Sequence, residues 1–198
     1  MNPEYKAYRR AYAIAAAIVT LFYRIRVTGR ENVPEGAALV CANHSSNYDP
    51  FILMKAMTVK VHLHMMAKKE LFDFKPLGAI LRSIGTFPVD RKIKDISAIK
   101  KAMAYLMDNE KVVIFPEGKR VSDELSTQAK SGAVRIADKM RVPVVPVYIP
   151  RKKFFWGRMD VVIGKPFYVC AEGEKLKAAD FEGKARQLME NINGLRQG

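Results

Sequence analysis

Cysteine is scarce: the 198-residue chain has two, Cys41 and Cys170, with no CxxC pair and no zinc-finger spacing. That excludes a disulfide framework as the organising principle and fits a reducing compartment. Long apolar runs are lacking as well. The longest uncharged stretch near the start, Ala11 to Tyr23, falls short of the ~20 residues a spanning helix needs. It is flanked by Arg9, Arg10 and Arg24, and no small-residue cleavage site follows it, so a signal peptide is excluded. By its residues it fits equally a buried core helix and a helix lying at a bilayer interface. Acidic residues are few: 20 Asp+Glu against 34 Lys+Arg leaves a net charge of +14. Such a surface attracts polyanions, whether nucleic acid, anionic lipid headgroups or phosphorylated substrates. Internal repeats, low-complexity tracts and Gly/Ser linkers are missing, and with 49% hydrophobic and 27% charged residues the composition is that of one ordinary globular domain.

What is present alternates between two periods. Ile25–Gly29, Ala37–Ala42, Val59–Met66, Thr86–Val89, Val112–Phe115, Val144–Ile149 and Met159–Ile163 read as strands. In Val59–Met66, Val61, Leu63 and Met65 alternate with Lys60, His62 and His64, which predicts a half-buried strand. Helices are predicted over Pro50–Met57, Glu70–Ser83 with an interruption at Pro76 and Gly78, Ala129–Met140 and a final stretch carrying Phe181, Leu188 and Leu195. Asp95 is placed to cap a further helix whose stripe is Ile96, Ile99, Met103, Leu106 and Met107. Strands alternating with helices predict a single α/β domain with a mostly parallel or mixed central sheet flanked by helices. Ligands of such sheets sit beyond the carboxyl ends of the strands. Three polar segments follow apolar runs there: Asn43-His44, Asp90-Arg91 and Glu117-Gly118-Lys119-Arg120.

His44 has the ionisation range of a general base near neutral pH. Such a base needs a carboxylate on its second ring nitrogen to fix the tautomer, and Asp49 follows five residues later, within reach if a turn brings it back. Asp49 before Pro50 is also a helix start. Gly118 permits close backbone approach to a ligand, and Arg120 offers a two-pronged grip on phosphate. His62 and His64 share a strand face, but no third ligand stands at a recognisable spacing, so they read as polar-face residues and no metal site is expected. Ser45 and Ser46 lack the G-x-S-x-G elbow of a serine hydrolase. Cys41 reads as inert packing.

Four ordered segments, Asn43-His44 with Asp49, Gly85-Thr86-Phe87-Pro88-Val89-Asp90-Arg91, Phe115-Pro116-Glu117-Gly118 and Val142-Pro143-Val144-Val145-Pro146-Val147, resemble the sequence blocks of the glycerolipid acyltransferases, most closely those acting on 1-acylglycerol 3-phosphate. Ala67–Phe72, Lys130–Ala133 and Gly164-Lys165-Pro166 match too, and the resemblance spans Gly29 to Phe167. It implies transfer of a fatty acyl group from acyl-CoA or acyl carrier protein to the 2-hydroxyl of lysophosphatidic acid, without an acyl-enzyme and without a cofactor. It implies His44 as base and Asp49 as its orienting partner. Arg91, Glu117, Gly118, Lys119 and Arg120 would hold the acceptor phosphate, and Lys68 is the candidate for the oxyanion. Lys119 departs from the commoner Thr at its position.

An acceptor carrying a fatty chain lives in a membrane, so residues 1–24 are then expected to anchor the acyltransferase domain, 25–198, to the cytoplasmic face as a monotopic helix. Arg151-Lys152-Lys153-Phe154-Phe155-Trp156 reads as a headgroup-boundary segment, and Leu71–Ile84 as either an acyl groove or core. Other acceptors, such as glycerol 3-phosphate or another lysolipid, fit the same blocks. A basic nucleic-acid-binding module is the rival from another class. No nucleic acid is expected as a partner, since RRM, KH and helix-turn-helix signatures are missing.

Overall fold

A computed structural model of the chain describes residues 3–197 apart from 91, 94, 124, 125, 172 and 175. Its elements, in chain order, are α1 (Pro3–Phe22), β1 (Arg24–Thr28), β2 (Ala38–Ala42), α2 (Asp49–Met57), β3 (Leu63–Lys68), α3 (Lys75–Ser83), β4 (Phe87–Val89), α4 (Ile96–Met107), β5 (Lys111–Ile114), α5 (Gly132–Met140), β6 (Val144–Tyr148), β7 (Arg158–Ile163) and α6 (Asp180–Gly194). The strands form one mixed sheet in the order β1-β7-β6-β2-β5-β3-β4. β6, β2, β5, β3 and β4 are mutually parallel, and β7 turns back antiparallel to β6 with β1 parallel beside it.

Every residue of β2 is buried, as a central parallel strand covered on both faces requires. Its alternating side chains divide between two cores. Ala38, Val40 and Ala42 pack with α1 and α2 residues such as Val19, Ile52 and Leu53, whereas Leu39 and Cys41 pack with Ala102, Val134 and Leu188 of α4, α5 and α6. The sheet is therefore the middle of three layers.

Two expectations change at this level. β3 begins at Leu63, and Leu63, His64 and Met65 are all buried, so this stretch lacks the half-buried alternation. The strand lies between β5 and β4, with helices over both faces at its start. In α4, Asp95 caps by accepting from the Ala98 N–H at 3.0 Å, but the buried face is Ala98, Ala102 and Leu106. Of the expected stripe, Leu106 is buried and Ile99 and Met103 pack against the same core, whereas Ile96 and Met107 at its ends are exposed.

α1 resolves into two faces. Tyr8, Ala15 and Val19 are buried against the domain, whereas Ile14, Ile18 and Leu21 face outward. No described helix is long and apolar enough to cross a membrane.

Directly after β2, the buried Asn43 side chain donates to the Ile149 carbonyl at 2.7 Å and accepts from the Ile149 N–H at 2.7 Å. This clasp ties the end of β2 to the chain leaving β6, just past the last β2–β6 pair, Ala42 with Val147. Asn43→Ala leaves both Ile149 groups buried and unpaired, at about 1–3 kcal/mol each. Urea unfolding is expected to show that loss as a lower midpoint with an unchanged slope.

Candidate active site

Past the carboxyl end of β2 the chain turns sharply, and Asp49 at the start of α2 comes back beneath His44. The His44 Nδ1–H donates to Asp49 Oδ2 at 2.9 Å. The same oxygen accepts the backbone N–H groups of Ser45 at 2.6 Å and Ser46 at 2.7 Å. Asp49 Oδ1 pairs with Lys153 Nζ at 2.8 Å, and the carboxylate is completely buried. Burial pushes the Asp49 carboxyl up, but His44, Lys153 and the Ser46 N–H outweigh it and hold the group below the usual carboxylate range. With Nδ1 committed as donor, Nε2 is the basic nitrogen of His44. The Phe115 ring stacks on the imidazole with centroids 4.3 Å apart and fixes its plane.

A second buried pair stands behind the first. Glu117 Oε2 accepts the His44 backbone N–H at 2.6 Å, and Glu117 Oε1 pairs with Arg151 Nη2 at 2.8 Å, both side chains being fully buried. Burial raises the Glu117 carboxyl above its ordinary range, against the pull of Arg151 and the His44 N–H. Arg151 also donates to the Val121 carbonyl at 2.8 Å, and the Val121 N–H donates back to the His44 carbonyl at 2.8 Å. The turn after β5 is thus laced to the His44 loop. Gly118 sits in that turn at φ +67°, where a Cβ would lie 2.9 Å from Lys130 Cε.

The structure brings His44, Asp49, Glu117 and Gly118 together, with Lys119 and Arg120 exposed at the rim. Arg120 donates to Asn47 Oδ1 at 2.9 Å. The Glu117 carboxylate is engaged by the His44 N–H and Arg151, and Glu117 borders a polar cleft with Gly118, Lys119 and Lys130. Lys68 ends β3, two strands from β2, and pairs with Glu70 at 3.4 Å. Arg91 lies outside the described residues. Its neighbour Asp90 pairs with Lys69 at 2.5 Å, at the end of the edge strand β4.

Arg151 and Lys153 correct the sequence reading of their segment. Their side chains point into the site, and only Lys152 of the basic triplet is exposed. An apolar groove of about 280 Å³ opens beside Phe115 and is lined by Met66, Val89, Ile99, Ile114 and Ile136, with Gly118 and Lys130 at one end. Leu71–Ile84 takes no part in that lining.

A buried His–Asp pair at parallel strand ends, with cations on the adjoining turn and an apolar groove alongside, is a site of the kind found in α/β enzymes. The chain belongs to the acyltransferase family, whose sequence pattern matches residues 24–150. It is similar to the 1-acyl-sn-glycerol-3-phosphate acyltransferase of Bacillus subtilis, 35% identical over 156 residues that cover 76% of this chain and 77% of that one. A probable 1-acyl-sn-glycerol-3-phosphate acyltransferase of Mycoplasma pneumoniae is 37% identical over 142 residues, covering 67% of this chain and 53% of that protein's length. Among solved structures, the 1-acyl-sn-glycerophosphate (LPA) acyltransferase of Thermotoga maritima superposes with a TM-score of 0.71 at 25% identity, covering 98% of this chain and 77% of that one.

Because the folded-state value of Asp49 is depressed, its stabilising contribution is full above the ordinary aspartate range, near pH 4. It is lost as pH falls through the lower folded value. Lys153→Met removes the Oδ1 partner and raises that value. The variant is expected to be less stable at neutral pH by about 3–5 kcal/mol. Its acid-unfolding midpoint, followed by far-UV circular dichroism, is expected at a higher pH than that of the wild type.

Proposed function

We propose that this acyltransferase moves a fatty acyl group from acyl-CoA or acyl carrier protein to the 2-hydroxyl of lysophosphatidic acid, forming phosphatidic acid. The observation that carries the reading is the 2.9 Å bond from His44 Nδ1 to the buried Asp49, which prepares Nε2 to accept a hydroxyl proton. As Nε2 takes that proton, the hydroxyl oxygen attacks the thioester carbonyl carbon. The tetrahedral intermediate collapses with cleavage of the C–S bond, and the proton on His44 passes to the departing sulfur. Asp49 stabilises the imidazolium that exists between these two transfers. The cycle closes without an acyl-enzyme and without a cofactor.

Glu117 and Arg151 are positioning residues in this mechanism: Glu117 holds the His44 backbone N–H, and Arg151 holds Glu117. Lys119 and Arg120 on the turn, with Lys130 lining the polar cleft next to it, supply the positive charge for the acceptor phosphate. The groove continuous with Phe115 takes the acyl chain. Lys68, two strands away and paired with Glu70, is left out of the mechanism.

The outward apolar residues of α1 support docking on a membrane. Ile14, Ile18 and Leu21 continue into Phe154, Phe155 and Trp156 between β6 and β7. The Trp156 N–H donates to the Phe22 carbonyl at 2.6 Å, and Phe155 packs on Phe22 and Tyr23 with centroids 5.6 and 5.8 Å apart. With Arg10 and Arg24 exposed beside it, this ridge suits an anionic bilayer surface. It would place the enzyme on the cytoplasmic face, where thioester donors are made.

With labelled acyl thioester and lysophosphatidic acid in vesicles, the wild type is expected to make phosphatidic acid. His44→Ala and Asp49→Asn are expected to lose about 10²–10⁴-fold in kcat. Full activity in His44→Ala would overturn the mechanism, and activity only toward another lysolipid or glycerol 3-phosphate would move the acceptor. Trp156 is the sole tryptophan and is 71% exposed. Its emission is expected to shift to the blue on adding anionic vesicles and to stay unchanged with neutral ones in high salt.

A further inference from the structure

At the end of the sheet opposite His44, two histidines unused by the proposed chemistry meet a carboxylate. His64 lies in β3 and His62 just before it. The parallel register of Leu63 with Lys111 and His64 with Val112 sets Glu110, the residue before β5, alongside them. One ligating atom from each of His62, His64 and Glu110 lies within 4.8 Å of the others. His64 Nε2 is 4.0 Å from Glu110 Oε2, and the two imidazole centroids are 4.3 Å apart. The Nε2 atoms of both histidines are buried with no hydrogen-bond partner, a condition that calls for a reason in a folded protein.

His64 supplies the clue to that reason. Its Nδ1–H donates to the Gly85 carbonyl at 3.2 Å, which leaves Nε2 with the lone pair. A backbone carbonyl on the second ring nitrogen is the arrangement that orients a metal-binding histidine.

We propose that His62, His64 and Glu110 bind one zinc ion, with water as the fourth ligand. Two imidazoles and one carboxylate are a zinc donor set, whereas magnesium and calcium ask for oxygen. Zinc bonds of about 2.0–2.2 Å in a tetrahedron need ligand atoms about 3.3–3.5 Å apart. The Glu110 side chain, 41% exposed, can supply most of that closure by a rotamer change. Its negative charge also offsets the nearby ammonium of Lys101, which sits 4.8 Å over the Tyr105 ring.

The site has a structural role in this scheme. Tyr5 and Tyr8 of α1 pack on His62 with centroids 6.1 and 4.4 Å away, and the Tyr8 hydroxyl donates to the Val61 carbonyl at 2.8 Å. A bound ion therefore fastens β3 and β5 to each other and steadies the ring on which the first helix rests.

The test is titration of the untagged, metal-free full chain with zinc chloride against a chromophoric chelator. One equivalent per chain is expected, along with a melting temperature that rises with zinc. Glu110→Gln and His62→Gln, at half-exposed positions, are expected to keep the wild-type circular dichroism and metal-free melting temperature. Each should weaken zinc binding at least about tenfold and abolish the thermal shift. His44→Ala is expected to keep both the stoichiometry and the affinity. Cobalt(II) is expected to give the visible absorption of a tetrahedral site in the wild type and not in Glu110→Gln. No stoichiometric binding, equal affinity in the two ligand variants, or loss of binding in His44→Ala would overturn the proposal.

Discussion

Burying the carboxylate of Asp49 is the constraint around which the candidate active site of this molecule is arranged. An ionised carboxylate without water is costly unless every lone pair is matched. Here the imidazole of His44, two successive backbone N–H groups and the Lys153 ammonium match them. The two N–H groups require the chain from Ser45 to Asp49 to curl tightly, and that curl aims the histidine. The charge that would penalise folding if left alone thus fixes both the loop and the ring.

The Glu117–Arg151 pair repeats this logic one layer back. Its second carboxylate oxygen takes the His44 N–H, so the backbone of His44 and its side chain are gripped by separate anions. Asn43 adds a neutral clasp to Ile149. All of these contacts join the carboxyl ends of β2, β5 and β6, where parallel strands leave a crevice. Loops leaving three adjacent strands, cross-tied in this way, hold His44 firmly, which suits the proposed proton transfer, a step that tolerates little misplacement.

The strand–helix alternation was legible in the residues because parallel strands covered on both faces are runs of Val, Ile, Leu and Ala. His44 and Asp49 were legible too, since a turn of five residues is local. Arg151 and Lys153 were read as headgroup contacts, because a basic triplet before three aromatics looks the same whether its cations face lipid or a buried carboxylate. Their partners are far away in sequence, and the family pattern ends at residue 150, one residue short of Arg151. The same distance hid Glu110 from the two histidines: only the β3–β5 register puts them side by side. In α4 the stripe was legible in its middle, where Leu106 is buried and Ile99 and Met103 pack against the core, but not at its ends, where Ile96 and Met107 are exposed and Ala98 and Ala102 take the buried positions.

The segment from Arg151 to Trp156 packs two tasks into six consecutive positions. Its first half sends Arg151 and Lys153 inward to the two buried carboxylates, and its second half sends Phe154, Phe155 and Trp156 outward. Trp156, at a positive φ of 60°, anchors the far end to Phe22. Between Ile149, held by Asn43, and Trp156 the path is pinned at both ends, so its length is as constrained as its composition. Losing or gaining one residue here would put a phenylalanine where an ammonium must meet Asp49, or a cation where an aromatic ring faces out. Substitution along this stretch degrades one task at a time, whereas a frame slip disables both at once.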